Sequence, residues 1–292
     1  MPAWEGKSRG NKTGYRIFVW ILKQGGLRPA YLLLRFVTLY YFFFSFKSSQ
    51  ALYSFYRCRI GYGRIKSILG IYRNYFLLGQ TLIDKVALMS GAVNSFTFNF
   101  DGEEHLHQMV SDGKGGILLS GHLGNWDIAG HLLKRLNTVI NIVIFDGEHE
   151  QIKTYLESVT GERAVKLILI KNDLSHIYEI SSALKRNELI CMHADRFLPG
   201  NKTQSHLFLG REAKFPVGPF VLTSAFNVPV SFVFAVKETT LHYHFFATKE
   251  KDYSGLPKNE RMEKMTRDYV NELEIKTRNY PQQWFNFYDF WK

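Results

Sequence analysis

Two cysteines, Cys58 and Cys191, occur in 292 residues. That excludes a disulfide scaffold, and their spacing forms no zinc motif, so both read as packing residues of a reducing compartment. Only 8 prolines are present, and no stretch rich in Pro, Gly and Ser divides the chain. No repeat or low-complexity tract is found either. There is no G-x-x-x-x-G-K-[ST] sequence, and Gly61-Tyr62-Gly63 lacks a preceding strand and the remaining glycines of a dinucleotide fingerprint, so the common nucleotide-binding loops are excluded. Nor does any apolar run reach the ~20 residues of a spanning helix. The longest, Phe36–Phe46, is cut from Tyr31–Leu34 by Arg35.

Acidic residues are almost missing from the first quarter of the chain. Residues 1–75 hold 13 Lys or Arg against the single acid Glu5, so the whole of the formal excess of +11 lies there. The same stretch carries 18 of the 45 aromatic residues, among them Tyr40, Tyr41, Phe42, Phe43, Phe44 and Phe46. A nucleic-acid arm would be basic and polar, with few bulky apolar side chains. Cations interleaved with rings fit an anionic membrane surface, where the charges meet acidic head groups and the rings occupy the interface. The segment is too short to span, so interfacial or half-buried insertion is expected. Met1–Gln24 also fails as a cleavable signal, because its apolar part, Ile17–Leu22, is short. The body is therefore expected in the cytosol.

The chain of 34.0 kDa has room for a full core. From Arg28 to about Gly91 the pattern is helical, with breaks expected at Lys47–Ser49, Gly61–Gly63, Gly79 and Gly91. Short apolar runs then alternate with amphipathic stretches. Strands are expected at Gly116–Ser120, Asn137–Phe145, Val165–Ile170, Leu189–His193, Val228–Val236 and Leu241–Thr248, and several lack polar alternation, as strands covered on both faces do. Helices are expected at Asn125–Leu136, Glu148–Val159, Leu174–Lys185, Val217–Phe226 and Asn259–Arg278, while the aromatic tail Gln283–Trp291 packs back on the body or meets lipid. The order argues an α/β fold with a largely parallel central sheet flanked by helices. Residues 1–91 form the basic, aromatic, helical membrane-associating region, and residues 92–292 the catalytic α/β domain.

Chemistry concentrates in Gly115–Gly130. An apolar strand ends in a glycine-rich turn, Ser120-Gly121-His122-Leu123-Gly124, and a helix starts near Asn125, a favoured N-cap residue. In open α/β sheets ligands bind at the C-terminal ends of strands, where His122 would lie. His122 and Asp127 diverge by about 140° on a continuous helix. With His122 in the turn, Gly121 and Gly124 let the chain fold back so that the Asp127 carboxylate reaches the imidazole and fixes its tautomer. The other ring nitrogen can then take a proton from a substrate hydroxyl. Arg196 and Arg211 each follow an expected strand and are candidates to steady a developing oxyanion or a phosphate. Lys202 and Lys214 are weaker ones. Asp195 is expected to orient Arg196, and Asn125 stands with these as a substrate contact.

The sequence His122-Leu-Gly-Asn-Trp-Asp127 after a strand resembles the signature of the lysophospholipid acyltransferase superfamily, and specifically its bacterial branch of lipid A biosynthesis acyltransferases. The likeness extends over the basic aromatic N-terminal region, Leu189–Arg196 with Ala194-Asp195, the block Phe208–Gly218, and Pro281-Gln-Gln-Trp284. It implies His122 as general base and Asp127 as its partner. It also implies fatty acyl transfer from acyl carrier protein or coenzyme A to a hydroxyl of a membrane glycolipid, at the cytoplasmic face of a bacterial inner membrane. No cofactor is implied beyond the thioester substrate, and no nucleic acid. Members acting on lipid A commonly carry an Arg-Pro pair where Phe145 here leads into Asp146-Gly147-Glu148, so other glycolipids, aminolipids or pigments stay open as acceptors. Rival readings are a non-catalytic lipid-surface protein of the same fold and a zinc site from His105, His107, Asp127, His131, His242 and His244. The latter lacks a complete zinc motif, and no metal is expected.

Overall fold

The computed structural model describes residues 12–89, 95–125, 128, 133–145, 166–170 and 173–291. They form two compact units. One is built from the described residues up to Phe96 and from Thr277 onward, the other from those of Thr97–Asp146 and Ala164–Lys276.

The first unit is helical: α1 (Lys12–Gly25), α2 (Leu27–Phe44), α3 (Phe46–Cys58) and α4 (Arg64–Met89). Although α2 is apolar nearly throughout, helical spacing sorts its side chains onto two faces. Ala30, Tyr31, Leu34 and Thr38 are buried, and Phe76 and Ile83 of α4 join the resulting core. The Tyr31 hydroxyl donates to the Asp84 carboxylate within it. Leu32, Phe36, Leu39, Tyr40 and Phe43 stay exposed on the other face.

Three expectations are corrected in this unit. The break expected at Lys47–Ser49 falls instead at Ser45, where α2 and α3 bend by 89°, and residues 47–49 lie in the first turns of α3. Gly79 does not interrupt α4. A Cβ there would come within 2.2 Å of Leu34 Cδ1, so the missing side chain serves the close approach of α2. Cys58 is exposed at the end of α3 and does not pack in a core. Among the described residues no single helix is long and apolar enough to cross a membrane, and only the bent pair α2 and α3 passes on length and composition.

The aromatic tail packs against α3 and α4. Trp284 is buried, with its ring 5.0 Å from that of Phe55, and the Asn74 amide donates to the carbonyls of Gln282 and Trp284 at 3.0 and 3.2 Å.

The second unit contains β1 (Thr97–Asp101), α5 (Glu103–Ser111), β2 (Gly116–Ser120), β3 (Ile140–Phe145), β4 (Lys166–Ile170), α6 (Ser175–Lys185), β5 (Leu189–His193), β6 (Thr203–Phe208), β7 (Arg211–Pro216), α7 (Gly218–Phe226), β8 (Val230–Lys237), β9 (His242–Ala247) and α8 (Lys258–Asn279), whose last residues fall in the helical unit. Seven strands form one sheet in the order β1-β9-β8-β2-β5-β3-β4. The block from β8 to β4 is parallel. β9 runs antiparallel to β8, and β1 parallel to β9.

Every residue of β2 and β8 is buried, because helices cover both faces. Leu118 and Val233 join Leu106 and Met109 of α5 in one core. The neighbouring Phe232 meets Tyr269 of α8 on the opposite face, their ring centroids 5.8 Å apart. The edge strand β1 and the hairpin β6–β7 were not expected from the sequence. The hairpin strands carry polar residues at more than half their positions, and the turn between them, Leu209-Gly210, has φ of 51° and 79°, the positive pair that suits a tight hairpin. Of the helix expected at Asn125–Leu136, Ile128 is helical and Leu133–Leu136 forms a 3₁₀ turn. Asn125 is not helical, and the rest, like the helix expected at Glu148–Val159, lies outside the described residues.

Candidate active site

The site is assembled by strand register. β2 and β5 pair in parallel with Ser120 opposite His193, and the Ala194 N–H continues the ladder to the Ser120 carbonyl at 2.9 Å. His122 lies two residues beyond Ser120 and Asp195 two beyond His193, so the same register brings them side by side. After His122 the chain swings against β8. Gly124, at φ 76°, brings its backbone so near that a Cβ would stand 1.9 Å from the Ala235 carbonyl oxygen. Asn125 then donates its N–H to that same oxygen at 2.6 Å. Any L side chain at position 124 would push the histidine turn off the sheet.

Both oxygens of Asp195 serve His122. Oδ1 lies 2.7 Å from Nδ1, and Oδ2 accepts the His122 backbone N–H at 2.9 Å. The carboxylate is 1% exposed, whereas the imidazole keeps 25% of its surface open. Nε2 of His122 stands 3.2 Å from Nδ1 of His193. Behind the pair, the Tyr269 hydroxyl donates to the Ser120 carbonyl at 2.8 Å, which ties α8 to the end of β2.

Electrostatics set the protonation states. Burial lowers the pKa of His122 and the Arg196 guanidinium lowers it further, against the raising effect of Asp195. Burial and the neighbouring His122 hold His193 well below the ordinary histidine value. Burial alone would push Asp195 up, but His122, Arg196 and His193 outweigh it and hold the carboxyl below its usual range. Near neutral pH the cluster is therefore a carboxylate beside two neutral imidazoles. An ionised carboxylate only accepts, so Nδ1 of His122 carries the proton and Nε2 carries the lone pair.

Asp195, expected to orient Arg196, is buried beneath His122 and also lies within the influence of the Arg196 charge. Asp127, the partner expected from the motif, lies outside the described residues. Asn125, expected as a substrate contact, is buried, and its amide faces the Tyr243 hydroxyl at 3.4 Å. Arg196 is half-buried and its charge acts on both imidazoles. Arg211 follows β6 and its turn and opens β7, exposed and opposite Phe208 across the hairpin. Lys202 and Lys214 are exposed. His193 and Tyr269 were not singled out from the sequence. His193 ends an apolar strand two residues before Asp195, and that offset is the one signal that pointed to it.

His122, His193 and Asp195 present donor atoms within 4.8 Å of one another, close enough in principle for a metal ion. Their contacts are those of proton sharing, since Asp195 also takes the backbone N–H of His122. The other histidine pairs are engaged elsewhere: His242 Nδ1 lies 2.8 Å from Thr97 Oγ1 and His244 Nδ1 3.0 Å from Glu238 Oε1, while His105 and His107 on α5 lie 3.7 and 3.9 Å from Glu104 and Glu103. Cys191 is buried in β5, which pushes its thiol up to about 12.

Residues 81–292 match the family model described as bacterial lipid A biosynthesis acyltransferase. Phosphatidylinositol mannoside acyltransferases from two strains of Mycobacterium tuberculosis, H37Rv and CDC 1551, are 29% and 28% identical over 122 residues. The aligned stretch takes in 40% of this chain and spans only 37% of the length of those relatives. The crystal structure of the 1-acyl-sn-glycerophosphate acyltransferase from Thermotoga maritima aligns with a TM-score of 0.38 at 15% identity, covering 84% of this chain and 96% of that one.

Proposed function

Because the chain belongs to the bacterial lipid A biosynthesis acyltransferase family, we propose that it moves a fatty acyl chain from a thioester of acyl carrier protein or coenzyme A to a hydroxyl of a membrane glycolipid. The observation that carries this reading is the partly open imidazole of His122, held through Nδ1 by a buried carboxylate at the end of a sheet strand. Nε2 takes the proton of the acceptor hydroxyl as its oxygen bonds to the thioester carbonyl carbon. The tetrahedral intermediate then expels the thiolate, which recovers the proton from the imidazolium. Asp195 stabilises that transient cation, and Arg196 offers positive charge to the developing oxyanion. The motif gives Asp127 a share in orienting the same imidazole, and Asn at position 127 is expected to lower transfer as well.

The mycobacterial relatives are named for acylating a phosphatidylinositol mannoside, and a lipid bearing sugar hydroxyls is the acceptor class we assign here. A lipid A precursor is one such lipid. The basic, aromatic helical unit supports action at the cytoplasmic face of a bacterial inner membrane, since its exposed Trp20, Phe36, Phe43, Phe44 and Phe46 stand among Arg and Lys.

His122→Ala tests the reading. Transfer of a labelled acyl chain from acyl carrier protein to a lipid A precursor should fall by about 10³-fold or more, as expected for loss of a general base with its orienting acid. Binding to anionic vesicles should be unchanged. A non-catalytic lipid-surface protein would lose neither.

A further inference from the structure

We propose that His193 guards the base: its Nδ1–H fills the Nε2 lone pair of His122 until an acceptor hydroxyl displaces it, so that water is not activated against the thioester. The inference rests on His122 being the base. It follows from counting protons along a short chain of contacts. Asp195 accepts from Nδ1 of His122, which leaves Nε2 as an acceptor, and the atom facing Nε2 at 3.2 Å is Nδ1 of His193. Two acceptors cannot share a hydrogen bond, so the proton between the rings belongs to His193. The rings meet edge to face, with centroids 4.2 Å apart, an approach that aims one ring's N–H at the other's lone pair.

The backbone of His193 is fixed at both sides, by the β2–β5 ladder and by the Ala194 N–H on the Ser120 carbonyl. The guard therefore leaves by turning its side chain. A glycolipid can offset the lost contact with binding energy from its acyl chains and sugars, while a lone water molecule has no such remote contacts. In the reaction so suppressed, a water oxygen bonds to the thioester carbonyl carbon and the C–S bond breaks. One water proton passes through His122 to the departing thiolate, and the products are free fatty acid and thiol.

The test uses the full chain and a fatty acyl thioester of acyl carrier protein without acceptor lipid. His193→Leu should raise release of free fatty acid by about ten-fold or more. His193→Gln, which keeps an N–H donor, should stay nearer the unmodified protein, and adding His122→Ala to His193→Leu should cancel the rise. No rise in His193→Leu, or a rise that survives His122→Ala, overturns the guard. If His122→Ala abolishes transfer while His193→Leu leaves hydrolysis unchanged, the guard alone fails; if His122→Ala leaves transfer intact, the base itself fails. Should the Leu variant not fold, nitrogen NMR of ¹⁵N-histidine protein decides. Both rings are expected in the Nδ1–H tautomer, and a proton on Nε2 of His193 overturns the proposal.

Discussion

The two units of the molecule differ in the large rings they leave exposed: among the described residues the helical unit exposes Trp20, Phe36, Tyr40, Phe43, Phe44 and Phe46, the sheet unit Tyr178. In the sheet unit Phe208, Phe215, Phe220, Phe232, Tyr243 and Tyr269 are fully buried, and Tyr269 helps fix the strand end that carries His122. In the helical unit Phe43, Phe44 and Phe46 are 68%, 73% and 76% exposed. Each large ring left in water forgoes an apolar burial of roughly 150–250 Å², and a cluster of such rings marks a surface that meets a partner. One unit is thus organised around rigid placement of a proton-handling group. In the other, Tyr31 and Leu34 on one face of α2 pack toward Ile83 and Asp84 of α4, and the opposite face of α2 stays exposed.

Perturbing each unit at its own strongest point sharpens this contrast. The largest effect is expected from Asp195→Asn, which removes the carboxylate and offers Nδ1 an amide N–H, favouring the wrong tautomer. Transfer should fall by about 10²–10⁴-fold in a steady-state assay. Trp284→Ala should act on stability instead. It empties a buried site against Phe55, costing about 3–5 kcal/mol as read from the denaturant midpoint. Replacing Phe43, Phe44 and Phe46 together by Ser removes no buried contact and should leave the midpoint within about 0.5 kcal/mol. It should weaken binding to anionic vesicles by about ten-fold or more in a sedimentation assay. Equal vesicle binding by that variant would erase the distinction between the units.

Much of the sheet was legible because its strands lie between two layers. The runs Gly116–Ser120 and Leu189–His193 have no polar residue before their last position, and both coincide with observed strands. The strand edge β1 and the hairpin β6–β7 were hidden by polar side chains that a partly exposed strand tolerates. The role of Asp195 was hidden for a different reason. Local spacing pointed to Asp127, which lies outside the described residues, and gave no sign of Asp195, which is 73 residues away and reaches the imidazole through the pairing of β2 with β5. Register between distant strands is a tertiary property, and only the equal two-residue offset of His122 and Asp195 from their strand ends hinted at it. Gly79 misled in a comparable way, since a glycine required by a neighbouring helix reads like one that ends its own.

The most direct measurement is the pH dependence of kcat/KM for acyl transfer. Burial and Arg196 hold the His122 imidazole below its ordinary value of 6.5, with Asp195 pulling the other way. Activity should therefore be full near neutral pH and fall only as pH drops through a midpoint below 6.5. In Asp195→Asn the raising influence is gone, so the remaining activity should lose its acid limb at still lower pH. A midpoint at or above 6.5, or one that stays in place in the Asp195→Asn protein, would contradict a base held neutral by burial and oriented by that carboxylate.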